Sequence, residues 1–488
     1  IEPYTRRTIT DILLALNGNF DVTYIFGPDQ LADVNKEGRY VIMGKFLPVE
    51  DFFSLAKSVY EKFNKIYLMP PDEIEPIKLR KFIKELCGES PVFVCSDGVL
   101  GQTVHLKGFT VSLTLPIWNE GESIGKVIES FMPVVDEIII GIDQKTDDDS
   151  EAICKKFADE VFTFKWEKSF SKARNACMEK CTSDWIFMTE GHEWLHPLSY
   201  DQFKWVKDLP PIVSLVKVKR IVKDQGEEKN SIFPWLTRNN CGVYYNYDSH
   251  NAVMCDNSNY NYSVDIPSIF TVHERSDARY NARREQRKLM NRSNLLKDLI
   301  KDKNNLRALF YLGNENYDYK EFSKAVEYYK RYLAISKWGQ ERYQAKIFCA
   351  KCLVCLGKKK DAEEMLMSCF LEDIPRNEHM ILLSNLLQDD FPQKSIYYLR
   401  MAAAVEEPIS PMWVDPTYYR ALPLQKLCII YGSIGRLEDA LACAKIVKEK
   451  YPETPDVDRV IEDIKEALKD EHKTWDSGCG DYNIIKCK

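Results

Sequence analysis

The chain has 488 residues, which is too long for one compact core and predicts about three domains. Hydrophobic residues make up 45% of the chain and charged residues 29%, proportions of a globular protein that exclude a disordered or collagen-like polymer. The formal net charge of −7 excludes a general electrostatic attraction to nucleic acid or to an anionic membrane, so either partner would need a local basic surface.

The first segment, residues 1–107, alternates short apolar runs with amphipathic stretches and predicts a small α/β domain. The predicted strands are Val22–Phe26, Tyr40–Met43, Ile66–Met69 and Val92–Cys95. The stretches 48–63 and 77–87 have helical spacing and are long enough for crossovers, so we expect parallel strands. The segment has no glycine motif for binding phosphate, which favours a structural, docking or acceptor-positioning role. Its apolar strands equally favour an interface between subunits of a homo-oligomer.

The second segment, residues 108–303, has the pattern of an α/β domain in which strands and helices alternate. The predicted strands are Phe109–Leu115, Glu137–Ile142, Glu160–Phe164 and Trp185–Met188. The predicted helices are Ser123–Phe131, Ser150–Phe157 and Lys172–Cys181. Residues 217–273 are rich in aromatic and turn-forming side chains, and they predict an antiparallel addition to the same domain. Polar residues that follow the parallel strands should meet in one crevice, where open α/β sheets bind ligands.

The third segment, residues 304–470, lacks strand patterns and repeats pairs of helices. Ala325, Ala362 and Ala440 stand at corresponding positions and lie 37 and 78 residues apart. These spacings are about one and two periods of the roughly 34-residue tetratricopeptide unit, and a weaker unit is expected near residues 391–404. The segment is therefore predicted to be a tetratricopeptide-like solenoid, followed by an irregular tail at 471–488.

Polar motifs stand at the predicted strand ends and helix starts of the second segment. In chain order they are Asn119-Glu120, Asp143 before Asp148-Asp149-Ser150, Ala173-Arg174-Asn175, and Glu190-Gly191-His192. In this order they resemble the motifs of family 2 glycosyltransferases of the GT-A fold, over residues 109–275. With the helical repeat behind it, the chain is similar over 109–470 to members of this family with a C-terminal repeat, including sublancin-type peptide S-glycosyltransferases. The implied fold class is α/β plus all-α, with a GT-A domain between the small N-terminal domain and the solenoid.

The resemblance implies a transferase whose donor is a nucleotide-sugar, with a UDP-sugar as the expected donor. The nucleotide-sugar contacts that it implies are Pro116, Asn119, Glu120, Asp143, Arg174 and Glu190. Asp143 would bind the base, and Arg174 would bind the diphosphate or the base, because a guanidinium binds anionic oxygens bidentately. A turn or helix-cap role is the alternative for Asp143, and Asp148 and Asp149 are interpreted as capping residues.

The motif Glu190-Gly191-His192 departs from the D-x-D motif of the family. Glutamate and histidine are both competent metal donors, so a divalent metal, Mn²⁺ or Mg²⁺, is still the expected cofactor. The resemblance adds His273 as a further ligand, with a satisfied edge histidine as the alternative. The expected metal ligands are His192, His273 and Glu190, where Glu190 contacts the ribose or supports the metal.

Residues 275–303 follow with ten Lys or Arg against four acidic residues, a net charge of +6. This basic segment is predicted to be a helix, with Arg284 and Arg287 as the expected phosphate contacts. A solvated helical face is the equally favoured alternative.

Transfer with inversion needs a base that takes the acceptor proton on the face opposite the leaving group. The candidates are His250 first, Asp248 second, and Glu193. Arg238 resembles an arginine on the acceptor side of the family's site, and a surface salt bridge is its alternative role.

The solenoid predicts a large acceptor, first of all a protein or peptide, because solenoids present extended concave surfaces. A glycan or a modified base of viral DNA is the next alternative, which the basic segment supports and the overall acidity opposes. A tetratricopeptide adaptor without catalysis is the third, and the altered D-x-D motif is its main support. The polar residues that are retained at strand ends, such as Asn119 and Asp143, favour an enzyme.

The sequence predicts a cytoplasmic protein of a bacterium or a virus-infected host cell. No apolar run approaches the ~18 residues of a membrane helix, and the first residues lack the apolar region of a secretory signal. The 15 cysteines are dispersed, which predicts reduced thiols. Cys349, Cys352 and Cys355 share one helix face, but no fourth ligand is apparent, so buried thiols are favoured over a metal cluster.

Overall fold

The computed structural model describes residues 22–25, 39–43, 53–54, 56–57, 66–69, 92–96, 99–103, 110–224, 227–257, 262–275, 278–372 and 374–469. For the strands before residue 104, and for residues 275 and 278–285, the description covers the backbone alone. The chain forms two compact units, one of residues 1–220 and 233–274 and the other of residues 221–232 and 275–488. No helix among the described residues combines the length and apolarity that crossing a bilayer requires.

The N-terminal sheet has five strands that follow one another in chain order. They are β1 (Val22–Ile25), β2 (Arg39–Met43), β3 (Ile66–Met69), β4 (Val92–Ser96) and β5 (Val99–Thr103). The first four pair in parallel, which confirms the predicted strands and their direction. β5 pairs antiparallel with β4, and the prediction lacks it because it has no continuous apolar run. Residues 53–54 and 56–57 are helical as expected, whereas the predicted helix 77–87 lies outside the described residues.

The second sheet is built from strands of both directions. Its strands are β6 (Val111–Ile117), β7 (Glu137–Asp143), β8 (Glu160–Phe164), β9 (Trp185–Met188), β10 (Trp194–Leu195), β11 (Val213–Asp224), β12 (Glu227–Arg238) and β15 (Tyr262–Arg275). Their order in the sheet is β10-β15-β11-β12-β9-β6-β7-β8. β6 to β9 are parallel and β12 joins β9 antiparallel, which confirms the parallel half and the antiparallel addition. A separate hairpin consists of β13 (Val243–Asn246) and β14 (Ala252–Cys255).

The helices between the parallel strands pack into the core of the first unit. They are α1 (Ile124–Phe131), α2 (Ser150–Phe157) and α3 (Phe170–Met178), and a 3-10 helix (Pro197–Phe203) with α4 (Lys204–Lys207) follows β10. The buried residues of α1 recur at helical spacing, so one face packs against the buried strands β6, β7 and β9. α3 begins two residues before its predicted start, because the Ser169 hydroxyl accepts a hydrogen bond from the Lys172 N–H at 3.3 Å and caps the helix.

The second unit is helical from residue 278 onward. Its helices are α5 (Ala278–Lys301), α6 (Leu306–Asp318), α7 (Phe322–Ile335), α8 (Gly339–Cys355), α9 (Lys359–Met367), α10 (Glu378–Leu387), α11 (Pro392–Ala403), α12 (Leu422–Ser433), α13 (Leu437–Lys450) and α14 (Val457–Ala467), with 3-10 turns at Ser368–Leu371 and Pro416–Tyr419. Consecutive helices pack as pairs from α6 to α13. Ala325, Ala362 and Ala440 are fully buried. Their small side chains let the paired helices approach closely. The predicted tetratricopeptide-like repeat is confirmed.

The tip of the β11–β12 hairpin, residues 221–232, belongs to the second unit. Asn230 and Val414 exchange backbone hydrogen bonds of 2.8 and 2.7 Å. The Ile232 N–H donates to the Ser410 carbonyl at 2.8 Å. The tip is therefore held as an added strand segment by the loop between α11 and α12.

Helix α5 also packs with the repeats. Leu295 lies in one apolar cluster with Ala308 and Leu312 of α6. Residues 275–303, which the sequence analysis assigned to the second segment, therefore contribute to the core of the helical unit. The predicted domain boundaries stay predictions.

Part of the basic segment 275–303 is ion-paired inside its own unit. Lys288 Nζ lies 3.7 Å from an Asp318 oxygen, and Arg292 Nη2 lies 2.9 Å from a Glu321 oxygen. At these two residues the contacts favour a structural helical face over a free phosphate-binding surface.

Ten cysteines of the described residues are free thiols, and nine of them are buried. Burial raises the pKa of Cys349 to about 11 and that of Cys352 to about 12, so both thiols are protonated and unreactive at neutral pH. These two positions agree with the buried-thiol interpretation. Cys355 is disulfide-bonded, so the prediction of reduced thiols is wrong at this position.

We expect Gly313→Ala to lower the free energy of unfolding by about 1–3 kcal/mol, because it overpacks a helix interface. A Cβ atom at Gly313 of α6 would lie 2.5 Å from the ring of Tyr329 on α7, and that ring is fully buried. Urea denaturation of the full chain measures the change. The control is Gly339→Ala, where a Cβ atom would approach neighbouring side chains no closer than 3.5 Å. Equal losses in the two variants would contradict the packing argument.

Candidate active site

The polar motifs meet at one edge of the second sheet. β6 runs parallel to both β7 and β9, so the carboxyl ends of these strands lie side by side. β6 leads into Asn119 and Glu120, β7 ends at Asp143, and β9 leads into residues 189–193. Local sequence thus places a polar segment at each of three neighbouring strand ends.

The loops after β6 and β7 hold each other through side-chain hydrogen bonds. Asn119 has a left-handed backbone with φ 51°, and its amide donates to the Asp147 carboxylate and accepts from the Asp147 N–H at 2.9 Å. The Asp148 carboxylate accepts from the N–H groups of Gly121 at 2.9 Å and Ser150 at 3.0 Å. Asp148 therefore has the capping role expected from the sequence, whereas Asp149, at the N-cap position of α2, makes no side-chain cap hydrogen bond. The two loops form one ordered rim.

Asp143 is buried at the end of β7 within this rim. Its Oδ1 accepts from the Lys145 N–H at 3.1 Å. The indole N–H of Trp118, which is 40% exposed, donates to the Lys145 carbonyl at 3.3 Å. Because Ile117 pairs with Ile142, Trp118 and Asp143 follow at neighbouring positions of the two strands. A carboxylate and an exposed aromatic ring therefore share the rim.

Glu190 is the centre of an ionic cluster after β9. Its Oε1 lies 3.0 Å from Arg174 Nη2, and its Oε2 lies 3.4 Å from Arg220 Nη2 and 3.1 Å from His192 Nε2. Burial raises the pKa of the carboxyl group. The hydrogen bond to His192 and the charges of Arg220 and Arg174 outweigh burial and hold the pKa of Glu190 well below its usual range. Glu190 is thus an anion that joins three cations.

His192 lies between two carboxylates. Its Nδ1 lies 3.6 Å from Glu120 Oε1, while its Nε2 contacts Glu190. Burial lowers the pKa of the imidazole, but the hydrogen bonds and charges of Glu120 and Glu190 outweigh it and raise the pKa to about 10. Gly191 permits this arrangement, because a Cβ atom there would lie 2.8 Å from Glu120 Cγ. The residue between the two polar side chains must therefore be small.

Strand pairing brings His273 to Glu193. Trp194 of β10 pairs with Val272 of β15 in antiparallel orientation. Glu193, one residue before Trp194, therefore lies opposite His273, one residue after Val272. Glu193 is fully buried and its Oε1 lies 3.8 Å from His273 Nδ1. The same oxygen forms an ion pair with Arg220. Burial raises the pKa of Glu193, an effect that the charge of Arg220 opposes without cancelling.

Two imidazoles and one carboxylate form a group with the spacing of metal ligands. One donor atom from each of His192, Glu193 and His273 lies within 4.8 Å of the others, and the two imidazole centroids are 4.2 Å apart. The sequence predicts Glu190 as the third ligand. The structure places Glu193 there and engages Glu190 with two arginines. The metal assignment itself stays a prediction.

Arg220 is the cluster residue that sequence reasoning missed. The inward-facing positions of β11 include Val216, Val218 and Val222, and Arg220 occupies the same face, almost fully buried. The sequence signal for Arg220 is a charged residue at a position of the strand where the alternate residues are buried valines. Such a residue is buried only with a partner of opposite charge or a hydrogen-bond acceptor. Which carboxylates it meets depends on the order of strands in the sheet.

Two aromatic rings pack against the guanidinium group of Arg174. Its guanidinium lies 4.9 Å from the centroid of Trp235 and 5.2 Å from that of Tyr245. Asn175 fixes β13 against α3, since its side chain donates to the Tyr245 carbonyl at 2.9 Å and accepts from the Tyr245 N–H at 2.8 Å. The Ala-Arg-Asn motif therefore orients both the arginine and the hairpin that carries its aromatic support.

Residues 112–266 match the sequence profile of the family described as Glycosyl transferase family 2. These residues are a glycosyltransferase family 2 domain. The glycosyltransferase SunS of Bacillus subtilis (strain 168), described as derived from the SPbeta prophage, and SunS of Bacillus phage SPbeta are each 23% identical to the chain over 273 residues. The aligned part is 55% of this chain and 64% of each relative, so the chain spans less than two thirds of the length of these curated relatives.

Solved structures that are similar to the chain include tetratricopeptide proteins. YrrB, described as a TPR protein with an unusual peptide-binding site, matches with a TM-score of 0.29 and 15% identity over 37% of this chain and 86% of its own. MamA matches with a TM-score of 0.29 and 15% identity over 36% of this chain and 96% of its own. The repeat of the present chain is identified by its own helix pairs and buried alanines.

The three candidate bases occupy different places in the glycosyltransferase domain. Glu193 is buried in the ionic cluster, whereas Asp248 is exposed and His250 is half-buried in the loop 247–251 between β13 and β14. The Asp248 carbonyl accepts from the Phe170 N–H at 3.0 Å, and His250 has a left-handed backbone with φ 48°. The choice among the three stays a prediction.

Arg238 supports the chain segment before β11. Its guanidinium donates to the carbonyls of Leu209, Pro210 and Val213 over 2.9 to 3.5 Å. It also lies 4.5 Å from the centroid of Trp185. These contacts give Arg238 a structural role in the glycosyltransferase domain, and a role toward the acceptor stays a prediction.

The remaining predicted nucleotide-sugar contacts lie on two different elements. Pro116 lies in β6 opposite Gly141 of β7, one residue before the strand end. Arg284 and Arg287 lie in α5 of the second unit, where Arg287 is half-buried and the side chain of Arg284 is outside the described residues. Contacts of these three residues with a donor stay predictions.

Proposed function

We propose that this protein is an inverting glycosyltransferase that moves a sugar from a nucleotide-sugar, a UDP-sugar, to a protein or peptide. The observation that carries the proposal is the pair of guanidinium groups of Arg174 and Arg220 around Glu190 in a family 2 domain. Cations at the carboxyl edge of an open α/β sheet suit a diphosphate, which is the leaving part of such a donor.

The rim binds the nucleoside part of the donor, and the cluster binds its diphosphate. At the rim, the Asp143 carboxylate accepts hydrogen bonds from the nucleoside. In the cluster, Arg174 and Arg220 direct guanidinium donors toward the diphosphate. Because Glu190 already holds both guanidinium groups, they need little reorganisation when charge develops on the leaving oxygen. Binding energy from the nucleotide then orients the anomeric carbon for in-line attack.

The residues of the cluster fit a divalent metal ion. His192, Glu193 and His273 offer two nitrogens and one carboxylate, and Glu193 Oε2 is buried with no hydrogen-bond donor among the described residues. A divalent metal, when bound, supplies Lewis-acid stabilisation of the leaving diphosphate. The chain itself holds the ligands together, since β10–β15 pairing aligns Glu193 with His273 and Glu120 orients His192.

Proton removal from the acceptor is assigned to the loop 247–251. His250 takes the proton of the attacking group as its bond to the anomeric carbon forms, and the neighbouring Asp248 is the second choice. Glu193 suits this step less well, because it is fully buried and paired with Arg220.

The helical unit supports a protein or peptide acceptor. Phe370, Leu371 and Tyr397 are 40%, 82% and 62% exposed, and their surface continues through Tyr398, whose ring lies 6.4 Å from that of Phe370 and whose hydroxyl contacts the Met367 sulfur. An exposed apolar surface of this kind is typical of a polypeptide-binding site. The nucleic-acid alternative has less support, because two cations of the basic segment are already ion-paired.

Thermal unfolding of the full chain with UDP-, GDP- and CMP-sugars, in Mn²⁺ or in EDTA, tests the proposal. A donor that binds only the folded state raises the unfolding midpoint. A shift with one donor that EDTA abolishes is the expected result. A shift of equal size in Mn²⁺ and in EDTA would support the transferase function and contradict the metal assignment. The absence of a shift with any donor would favour the non-catalytic adaptor.

Asp143→Asn is expected to raise the KM for the donor about 10–100-fold with a smaller effect on kcat, because it removes a charged acceptor worth about 1.5–3 kcal/mol. Steady-state kinetics at varied donor concentration measures both constants. Asp201→Asn, at an exposed aspartate of the same unit, is the control. An unchanged KM in Asp143→Asn would remove Asp143 from the donor site.

A further inference from the structure

We infer that a row of aromatic rings on β12 and β13 positions the two arginines of the ionic cluster for the diphosphate of the donor. The aromatic row consists of Phe233, Trp235 and Tyr245, and the arginines are Arg174 and Arg220. The inference rests on the proposed function, because it concerns how the same cluster binds the leaving diphosphate. It assigns a role in donor binding to side chains that carry no charge.

The strand geometry of β12 brings two members of the aromatic row together. Phe233 and Trp235 are two residues apart, and side chains at such positions of a strand lie on the same face. Their ring centroids are 5.3 Å apart, so the two rings are in contact. The third ring, Tyr245, comes from β13, which the side chain of Asn175 fixes against α3. The row is therefore built from two separate strands.

Each arginine of the cluster lies over a ring of the aromatic row. The guanidinium of Arg220 lies 5.3 Å from the ring centroid of Phe233. That of Arg174 lies 4.9 Å from the centroid of Trp235 and 5.2 Å from that of Tyr245. Cation–π attraction acts within roughly 6 Å of the centroid and is stronger where water is excluded. The side chains of the two arginines are only 7% and 9% exposed, so this attraction is strong here.

Aromatic rings hold a guanidinium group without competing for its ligand. A carboxylate that accepts hydrogen bonds from the N–H groups also neutralises their charge. An aromatic face attracts the cation through its π electrons and leaves the charge available to a phosphate oxygen. Glu190 lies 3.0 and 3.4 Å from Nη2 of the two arginines, where a diphosphate would compete with it. The ring contacts do not depend on which anion the arginines bind, so they keep both groups in place during donor binding.

The indole N–H of Trp235 indicates that the ring face is the working part of this side chain. The N–H is buried and has no acceptor among the residues that the structure describes. A buried tryptophan ordinarily pairs this group. Because the N–H makes no such bond, a phenylalanine that retains an aromatic face should replace Trp235 with little loss of donor affinity.

Binding of UDP and of uridine to the full chain, in one buffer with Mn²⁺, tests the inference. Isothermal titration measures the Kd for UDP, and ligand-observed NMR measures the Kd for uridine, which lacks the diphosphate. We expect Trp235→Leu to raise the Kd for UDP about 10-fold through loss of a buried cation–π contact, and to leave the Kd for uridine unchanged. An equal change for both ligands would show general damage to the site and overturn the inference.

Two further variants separate the ring face from other effects of the substitution. Trp235→Phe is expected to keep the Kd for UDP within roughly 3-fold of the wild-type value. Tyr245→Leu removes a ring from the other strand and should weaken UDP binding with the same selectivity, so the test does not depend on the folding of one variant. If Trp235→Phe lost as much UDP affinity as Trp235→Leu, the ring face would not be the cause and the inference would be wrong.

The matched control is Trp185→Leu, which removes a buried ring of the same sheet that lies 4.5 Å from the guanidinium of Arg238. Its unfolding midpoint should fall while the ratio of the two Kd values stays unchanged, because Arg238 donates to backbone carbonyls. A selective loss of UDP affinity in this variant too would contradict a special role for the aromatic row. A wild-type chain that binds no UDP would instead overturn the proposed function, so the two failures are distinguishable.

Discussion

Arg220→Met is expected to lower the free energy of unfolding by about 3–5 kcal/mol, because it leaves a buried carboxylate without its cation. Arg220 forms an ion pair with Glu193 and lies 3.4 Å from Glu190. Burial already raises the pKa of Glu193 despite this cation. Without the guanidinium, Glu193 must take up a proton or reach water, and both changes reduce stability. Urea denaturation of the full chain measures the loss.

A second substitution distinguishes the charge from the packing of Arg220. Glu193→Gln in the Arg220→Met background is expected to recover a large part of the loss, since a neutral amide costs less to bury than a carboxylate. Lys217→Met on the same strand is the control, because its partly exposed ion pair with Asp265, at 3.2 Å, contributes at most about 1 kcal/mol. If Lys217→Met lost as much stability as Arg220→Met, Arg220 would not be the organising cation.

His192→Ala and His273→Ala are each expected to lower kcat for sugar transfer by about 10²–10³-fold, as removal of a group that stabilises developing charge does. Both imidazoles belong to the group whose donor atoms lie within 4.8 Å of one another. Because they act through one site, the double variant should be only slightly slower than either single variant. Single-turnover transfer at saturating donor gives the rate constants.

The controls for this prediction separate the site from general damage to the fold. His196→Asn should retain kcat, because His196 stacks with Phe270 and caps a helix outside the cluster. Unfolding midpoints of all variants show whether the fold is intact. Losses that multiply in the double variant would indicate two independent roles for the histidines and contradict a shared site.

Local sequence patterns predicted the buried parallel strands and the helix pairs of the fold. The continuous apolar runs at 137–142 and 185–188 predict buried parallel strands, and the alanine spacing predicts the helix pairs, as the structure confirms. These signals are local, because burial of a strand or a helix face requires apolar residues at fixed spacing. β5 lacks such a signal, and its strand character comes from pairing with β4.

The candidate site was predictable only in part. Residues 119–120, 143 and 190–192 follow predicted strands, so their place at one sheet edge is contained in the sequence. Glu193, and not the expected Glu190, lies with His192 and His273 in the group of donor atoms, because the β10–β15 register aligns Glu193 with His273 across 80 residues of chain. No local pattern contains that register.

The sequence by itself determined the apolar strands, the helix pairs, the family resemblance and the strand ends that carry polar groups. Only the tertiary structure decided which of those groups form ion pairs and which share a site. Arg220 shows the physical reason. Its burial among valines is a property of one strand, but its carboxylate partners come from a segment that reaches it only through the order of strands in the sheet. Ionic interactions act over a few ångströms in space, whereas sequence patterns report only neighbours along the chain.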